Sequence, residues 1–183
     1  MPSIYVASLT DYNDGELHGT WVDADQDADS IMEDVQAMLA TSPTARRYGT
    51  VAEEWAIHDY EDFGGVEVSE WATFEWVAEL AELLKSRPAA LVAYFLGEGY
   101  ALGEIGEEID ARFMGEQEAS SEVKAVADYH RELLEDREDI PEDLRSHLNA
   151  IATSMAEDDL HGGGVQTINL RGPNWQTWYL LSC

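Results

Sequence analysis

Lysine is nearly missing from this chain. Only Lys85 and Lys124 occur, and Lys plus Arg total 10 against 38 Asp plus Glu, a formal net charge of −28 with neutral histidines. A surface this negative repels nucleic acid and anionic membranes, which excludes both as electrostatic partners; a partner held by charge is basic. Cysteine is reduced to Cys183. That excludes a disulfide within the chain and favours a reducing compartment. No apolar run reaches the roughly 18 residues of a membrane span. Residues 1–6 carry neither the basic nor the hydrophobic region of a secretory leader. The expectation is a soluble, cytoplasmic protein.

Apolar residues are not lacking. They make up 45% of 183 residues, with six Trp and eight Tyr, so the chain can bury a core and is no disordered acidic tail. Net charge is −12 over residues 1–62, −4 over 63–103 and −12 over 104–183. The expected fold class is α+β, an elongated chain of three small units: α+β at 1–62, helical at 63–103, and α+β at 104–183.

Residues 3–10 are rich in β-formers, Tyr12-Asn13-Asp14-Gly15 is a turn signal, and 17–23 suits a return strand. Alternating Asp23, Asp25, Asp27 and Asp29 lead into a helix striped by Ile31, Val35, Met38 and Leu39, with Ser30 and Glu33 at capping-box spacing. A loop carrying Arg46 and Arg47 precedes a strand at 51–60, and Phe63-Gly64-Gly65 reads as a hinge. Ser69 is placed to cap a helix running to about Lys85, on which Glu75, Glu79 and Glu82 share one sector. A short helix over 89–96 ends at Gly97-Glu98-Gly99. An acidic helix over 104–113 then carries Glu104, Glu107, Glu108 and Asp110.

Ser121 is placed to cap the next helix, to about Asp136. Its apolar seam is Val123, Val126, His130 and Leu133, and Asp128, Glu132, Glu135 and Asp136 lie on another face. The stretch Leu133–Leu144 is half acidic, with Glu135, Asp136, Glu138, Asp139, Glu142 and Asp143. Pro141 suits the first turn of a last helix, with Leu144, Leu148, Ile151 and Met155 as its buried stripe and Asp139 and Glu142 at capping-box spacing. Strands at 165–170 and 175–181, joined at Arg171-Gly172-Pro173-Asn174, close the chain as a hairpin.

Local chemistry is weak. An EF-hand beginning at Asp23 puts Ala28 where the loop needs Gly and Ser30 where it needs an apolar residue. Gly97-Glu98-Gly99 with Gly103 is not a dinucleotide fingerprint, and Glu98 repels a pyrophosphate. His58 and Asp59 are adjacent on a strand, with no nucleophile motif nearby. His130 belongs to a helix seam, and His147 and His161 lack metal-spaced partners. With 38 acids, accidental carboxylate pairs are numerous, so no pair signals a hydrolase. No cofactor is expected. Acidic stripes are also ordinary solvated helix faces, and proteomes of saline environments share the bias. The residues alone leave open an acidic adaptor or inhibitor of some basic DNA-binding protein, a small Ca²⁺-binding protein and a small acidic hydrolase.

The sequence resembles the ArdA family of antirestriction proteins along most of its length. The matching stretches are Ile4–Ala7, Tyr12-Asn13, Leu17–Trp21, Glu53–Tyr60 (Glu-Glu-Trp-Ala-Ile-His-Asp-Tyr), Phe63-Gly64 and Ala93–Phe95. Leu133-Leu134-Glu135 with Ile140-Pro141-Glu142 and Leu144 is similar to the family's antirestriction motif. The resemblance implies a non-enzymatic, dimeric mimic of B-DNA, carried on mobile elements, that occupies the DNA-binding groove of type I restriction-modification enzymes. Its partner-facing acids are then those of the aspartate run, the three helical stripes and the 128–143 segment named above. Twice a net −28 equals the charge on about 95 Å of duplex, at one charge per about 1.7 Å.

Overall fold

A computed structural model describes residues 1–169 and 176–183. It is α+β and divides into two compact units, Met1–Ile105 and Gly106–Cys183.

The first unit is built on a three-stranded antiparallel sheet of β1 (Ser3–Ser8), β2 (Gly19–Asp23) and β3 (Trp55–Glu61), with β1 in the centre. Ile4, Val6 and Ala7 of β1 are fully buried, as β-branched and small apolar residues of a central strand should be. The first strand stops at Ser8 rather than continuing to residue 10. Ser8 Oγ accepts a hydrogen bond from the Asp11 backbone N–H (3.4 Å) and caps a helical turn, α1 (Leu9–Asn13). Between β1 and β3, Tyr5 faces Asp59 and Val6 faces Ile57, which leaves His58 as the extra residue of a β-bulge.

α2 (Ala28–Leu39) buries Ile31, Val35, Met38 and Leu39, the stripe its periodicity predicts. Its cap is Asp27, whose Oδ1 accepts from Ser30 N–H at 2.8 Å, not Ser30 itself. Around Arg46 and Arg47, the expected loop is instead α3 (Pro43–Tyr48). Ser42 caps it, Pro43 opens it, and Gly49 closes it at φ +67°. Cap, first-turn proline and left-handed glycine together outweigh the polar composition. Phe63-Gly64-Gly65 forms a packed turn rather than an open hinge: Phe63 is buried, and a Cβ on Gly64 would lie 2.3 Å from that of Ala89.

α4 (Phe74–Ser86) begins later than expected. Thr73 caps it, accepting from Trp76 N–H, while Ser69 accepts from Trp71 N–H in the preceding turn. Phe74, Val77, Leu80 and Ala81 are its buried face, and Phe74 stacks on Trp55 at 4.1 Å between ring centroids. Trp71, expected among the apolar residues of that helix, lies outside it and is 65% exposed. α5 (Ala89–Gly97) buries Leu91, Val92 and Phe95, and α6 (Leu102–Arg112) follows.

In the second unit, β4 (Phe113–Glu118), β5 (Val165–Ile168) and β6 (Thr177–Ser182) form an antiparallel sheet in the order β4-β6-β5. The β5–β6 pairing agrees with the expected hairpin; its connection at Arg171–Asn174 lies outside the described residues. β4 was not expected, because its partner β6 is some 60 residues away in sequence. α7 (Glu122–Glu135), capped by Ser121 Oγ on Lys124 N–H, packs against α9 (Leu148–Gly162). Their shared core holds Ala125, Val126 and Ala156 with Val165 and Leu180.

Two predicted stripes shift. In α7 the seam is Ala125, Val126 and His130, while Val123 and Leu133 are exposed. The last helix does not run on from Pro141. A short α8 (Glu142–Arg145) ends, and α9 starts afresh, burying Leu148, Ala152 and Ala156; Leu144 is 43% exposed and Met155 lies outside the core. Small alanines let two helices approach closely, a signal that a search for large apolar residues passes over. Asp139 does not cap this segment: Pro141 occupies the cap position and makes no side-chain bond.

Candidate functional site

Nearly all the acids singled out from the sequence are solvent-facing. Asp23, Asp27 and Asp29 are exposed and Asp25 is half-buried. The aspartate run is shaped by its own hydrogen bonds. Asp23 Oδ1 accepts from Asp25 N–H at 2.8 Å, Asp27 caps α2, and Asp25 pairs with Lys85. The Ser30 backbone N–H, then its side chain, hold the Asp27 carboxyl below the ordinary range. Among the described residues no group of three or more His, Cys, Asp or Glu is arranged to hold a metal ion.

On α4, Glu75, Glu79 and Glu82 are exposed on the face opposite the buried one. Lys85 Nζ reaches Glu82 at 2.7 Å as well as Asp25, and those two partners raise its ammonium pKa. It therefore ties the acidic loop before α2 to the end of α4 within the first unit. On α6, Glu104, Glu107 and Asp110 are exposed and Glu108 is half-buried, and Glu104 Oε2 accepts from Ala101 N–H at 3.2 Å. Glu75, Glu79, Glu107 and Glu108 form no ion pair among the described residues.

The 128–143 segment differs. Its acids are exposed, save the half-buried Asp128, but arginines and a lysine are threaded through them. Arg131 meets Glu135 at 2.7 Å and Asp128 at 3.7 Å, and Lys124 meets Asp128 at 2.5 Å. Arg137 grips Asp139 through two bonds of 2.8 and 2.6 Å, which lowers the Asp139 carboxyl pKa. Arg145 lies 3.5 Å from Glu142. Gln117 donates to Glu132 at 3.0 Å. Sequence reasoning named the acids but not these local cations, because residues two to four positions apart meet only once helix and turn geometry is fixed.

The histidines have structural surroundings. His130 Nε2 lies 2.7 Å from Asp159 Oδ2, joining α7 to α9, which accounts for an acid near the end of α9. His58 stands edge-on to Tyr12 at 4.9 Å between ring centroids. Within the described residues, no helix is long and apolar enough to cross a membrane.

The candidate acids thus form separate solvated carboxylate faces: before and on α2 and on α4 in the first unit, along α6, and on α7 with the turn after it in the second unit. Such faces can make many separate charge-assisted contacts. A model of a family described as antirestriction protein (ArdA) matches residues 4–169. No curated protein matches the chain.

Proposed function

The chain belongs to the ArdA family of antirestriction proteins, a family of inhibitors of restriction-modification, and from that premise we propose that it acts as a mimic of B-DNA. In this reading it occupies the DNA-binding groove of type I restriction-modification enzymes and competes with duplex. Carboxylates meet the Arg and Lys that otherwise meet phosphates, and no catalytic residue or cofactor is needed. A homodimer of three-unit chains (1–62, 63–103 and 104–183), working in the cytoplasm on behalf of mobile DNA, belongs to the same proposal.

The observation that carries it is the exposure of acids on successive elements. One helix face with an acid per turn supplies one charge per about 5.4 Å, against about 1.7 Å for duplex. Matching DNA therefore takes several helices and both subunits. The contacting acids are Asp23, Asp25, Asp27 and Asp29, those of α4 and α6, and those from Asp128 to Asp143. Among them Glu75, Glu79, Glu104 and Glu107 have the least local compensation, and the motif acids the most.

Displacement of labelled duplex from a purified type I enzyme tests this. Between about 50 and 200 mM salt, the affinity of the protein should fall at least about tenfold, because many ion contacts are screened together. Single acid-to-amide changes should stay within about threefold, whereas Glu75, Glu79, Glu104 and Glu107 changed together to Gln should cost on the order of tenfold. Failure to displace duplex at any salt would remove DNA mimicry and leave a different basic partner to be sought.

A further inference from the structure

Two stretches that carry the family resemblance, Tyr12-Asn13 and Glu53–Tyr60, lie outside the candidate acids assigned above, although Glu53, Glu54 and Asp59 are exposed. In the first unit they come together. Tyr12, Asn13, His58 and Tyr60 line one groove with Glu70 and Trp71, and its volume is about 660 Å³. Buried Ile57 and Val68 line it as well. Tyr12 is 57% exposed and Trp71 65%, an unusual outlay for large rings in water.

Several features hold this arrangement. The β-bulge at His58 breaks the alternation of β3 where that residue's ring meets the edge of Tyr12. The Glu70 carbonyl accepts from Ile57 N–H at 3.0 Å, and Ser69 Oγ accepts from Trp71 N–H at 3.3 Å. The segment bearing Trp71 is thereby fastened to β3.

The chemistry of the walls selects an occupant. No Lys or Arg lines the groove, and Glu70 is the one acidic residue among its lining. Together with the chain's net −28, that disfavours an anion such as a phosphate or a flipped base with its backbone. Ring faces attract cations, and a planar guanidinium both stacks on them and donates to carboxylate and amide oxygens. We propose that this groove takes an arginine side chain from the basic surface of the protein partner, stacked between Trp71 and Tyr12 and hydrogen-bonded to Glu70 and Asn13. Identifying the partner as the restriction-modification enzyme rests on the DNA-mimic reading; the guanidinium preference does not.

The test uses the full chain and no enzyme, so its failure is distinct from failure of DNA mimicry. The protein, with ¹⁵N-labelled tryptophan, is titrated with N-acetyl-arginine amide and, separately, with its neutral isostere N-acetyl-citrulline amide. About 0.5 M salt screens diffuse attraction. The Trp71 indole resonance, assigned by Trp71→Phe, should move saturably with the arginine compound and not with citrulline. Tyr12→Leu and Glu70→Gln should each weaken that response by about threefold or more. Equal responses to both compounds, no response at Trp71, or a response unchanged in both variants would overturn the proposal.

Discussion

Asp11 is a carboxylate inside the protein with no cation beside it. Burial by itself would raise its pKa, but hydrogen bonds from Ser8, the Thr44 N–H and Ser42 win and hold it far below the ordinary carboxylate range. Ser42 Oγ and Thr44 N–H each donate to Oδ1 at 2.9 Å, so the residue fastens α1 to the start of α3. Because the folded pKa is lowered, this stabilisation is fully present above the unfolded value of about 4 and is lost as pH falls below it. Asp11→Asn should cost about 1–3 kcal/mol at neutral pH and flatten the acid limb of stability, measured by urea unfolding against pH. Gly19 poses a steric limit. A Cβ there would lie 2.5 Å from the Val6 carbonyl oxygen and 2.8 Å from the Tyr5 ring. Gly19→Ala should lower the urea midpoint by the equivalent of about 1–3 kcal/mol with the slope unchanged.

At the scale of elements, the segment around α7 and α8 is acidic yet internally compensated. Arg131, Arg137 and Arg145 each hold a carboxylate of the segment. Arg131→Gln and Arg137→Gln together should therefore strengthen duplex displacement at low salt by about two- to threefold, since two cations that would face a basic partner are gone. Weaker displacement with an intact fold would mean that the arginines themselves position the segment. The sequence made legible what periodicity encodes: the α2 stripe, the α4 acidic sector and the Ser121 cap. It hid what distance or small size encodes. β4 depends on a partner far along the chain, and α3 is announced by Ser42, Pro43 and Gly49, not by apolar spacing. The α7–α9 seam relies on Ala125, Ala152 and Ala156, whose size gives no periodic signal. The candidate acids were plain from composition. Their compensation, and the aromatic groove at the His58 bulge, needed the fold.

For the whole molecule, a net −28 means self-repulsion in the folded state, and salt relieves it. Thermal unfolding should shift upward by roughly 5 °C from about 10 to 300 mM sodium chloride. Binding to a basic partner weakens over the same range. Loss of inhibition at high salt is then separable from loss of fold, and circular dichroism on the same samples checks it.

Both lysines sit against carboxylates: Lys85 between Asp25 and Glu82, Lys124 on Asp128. With only these two lysines in the sequence and the N-terminal amine beside Asp62 at 3.0 Å, a carbodiimide that condenses amine and acid at contact has very few places to act. Mass spectrometry of the coupled, digested chain should find Lys85 joined to Asp25 or Glu82 and Lys124 joined to Asp128. The 25–85 linkage reports the packing of the first unit, and the 124–128 linkage the helical state of α7 in the second. Each unit thus carries its own covalent reporter, long-range in the first and local to α7 in the second, built from one of the scarcest residue types in the chain.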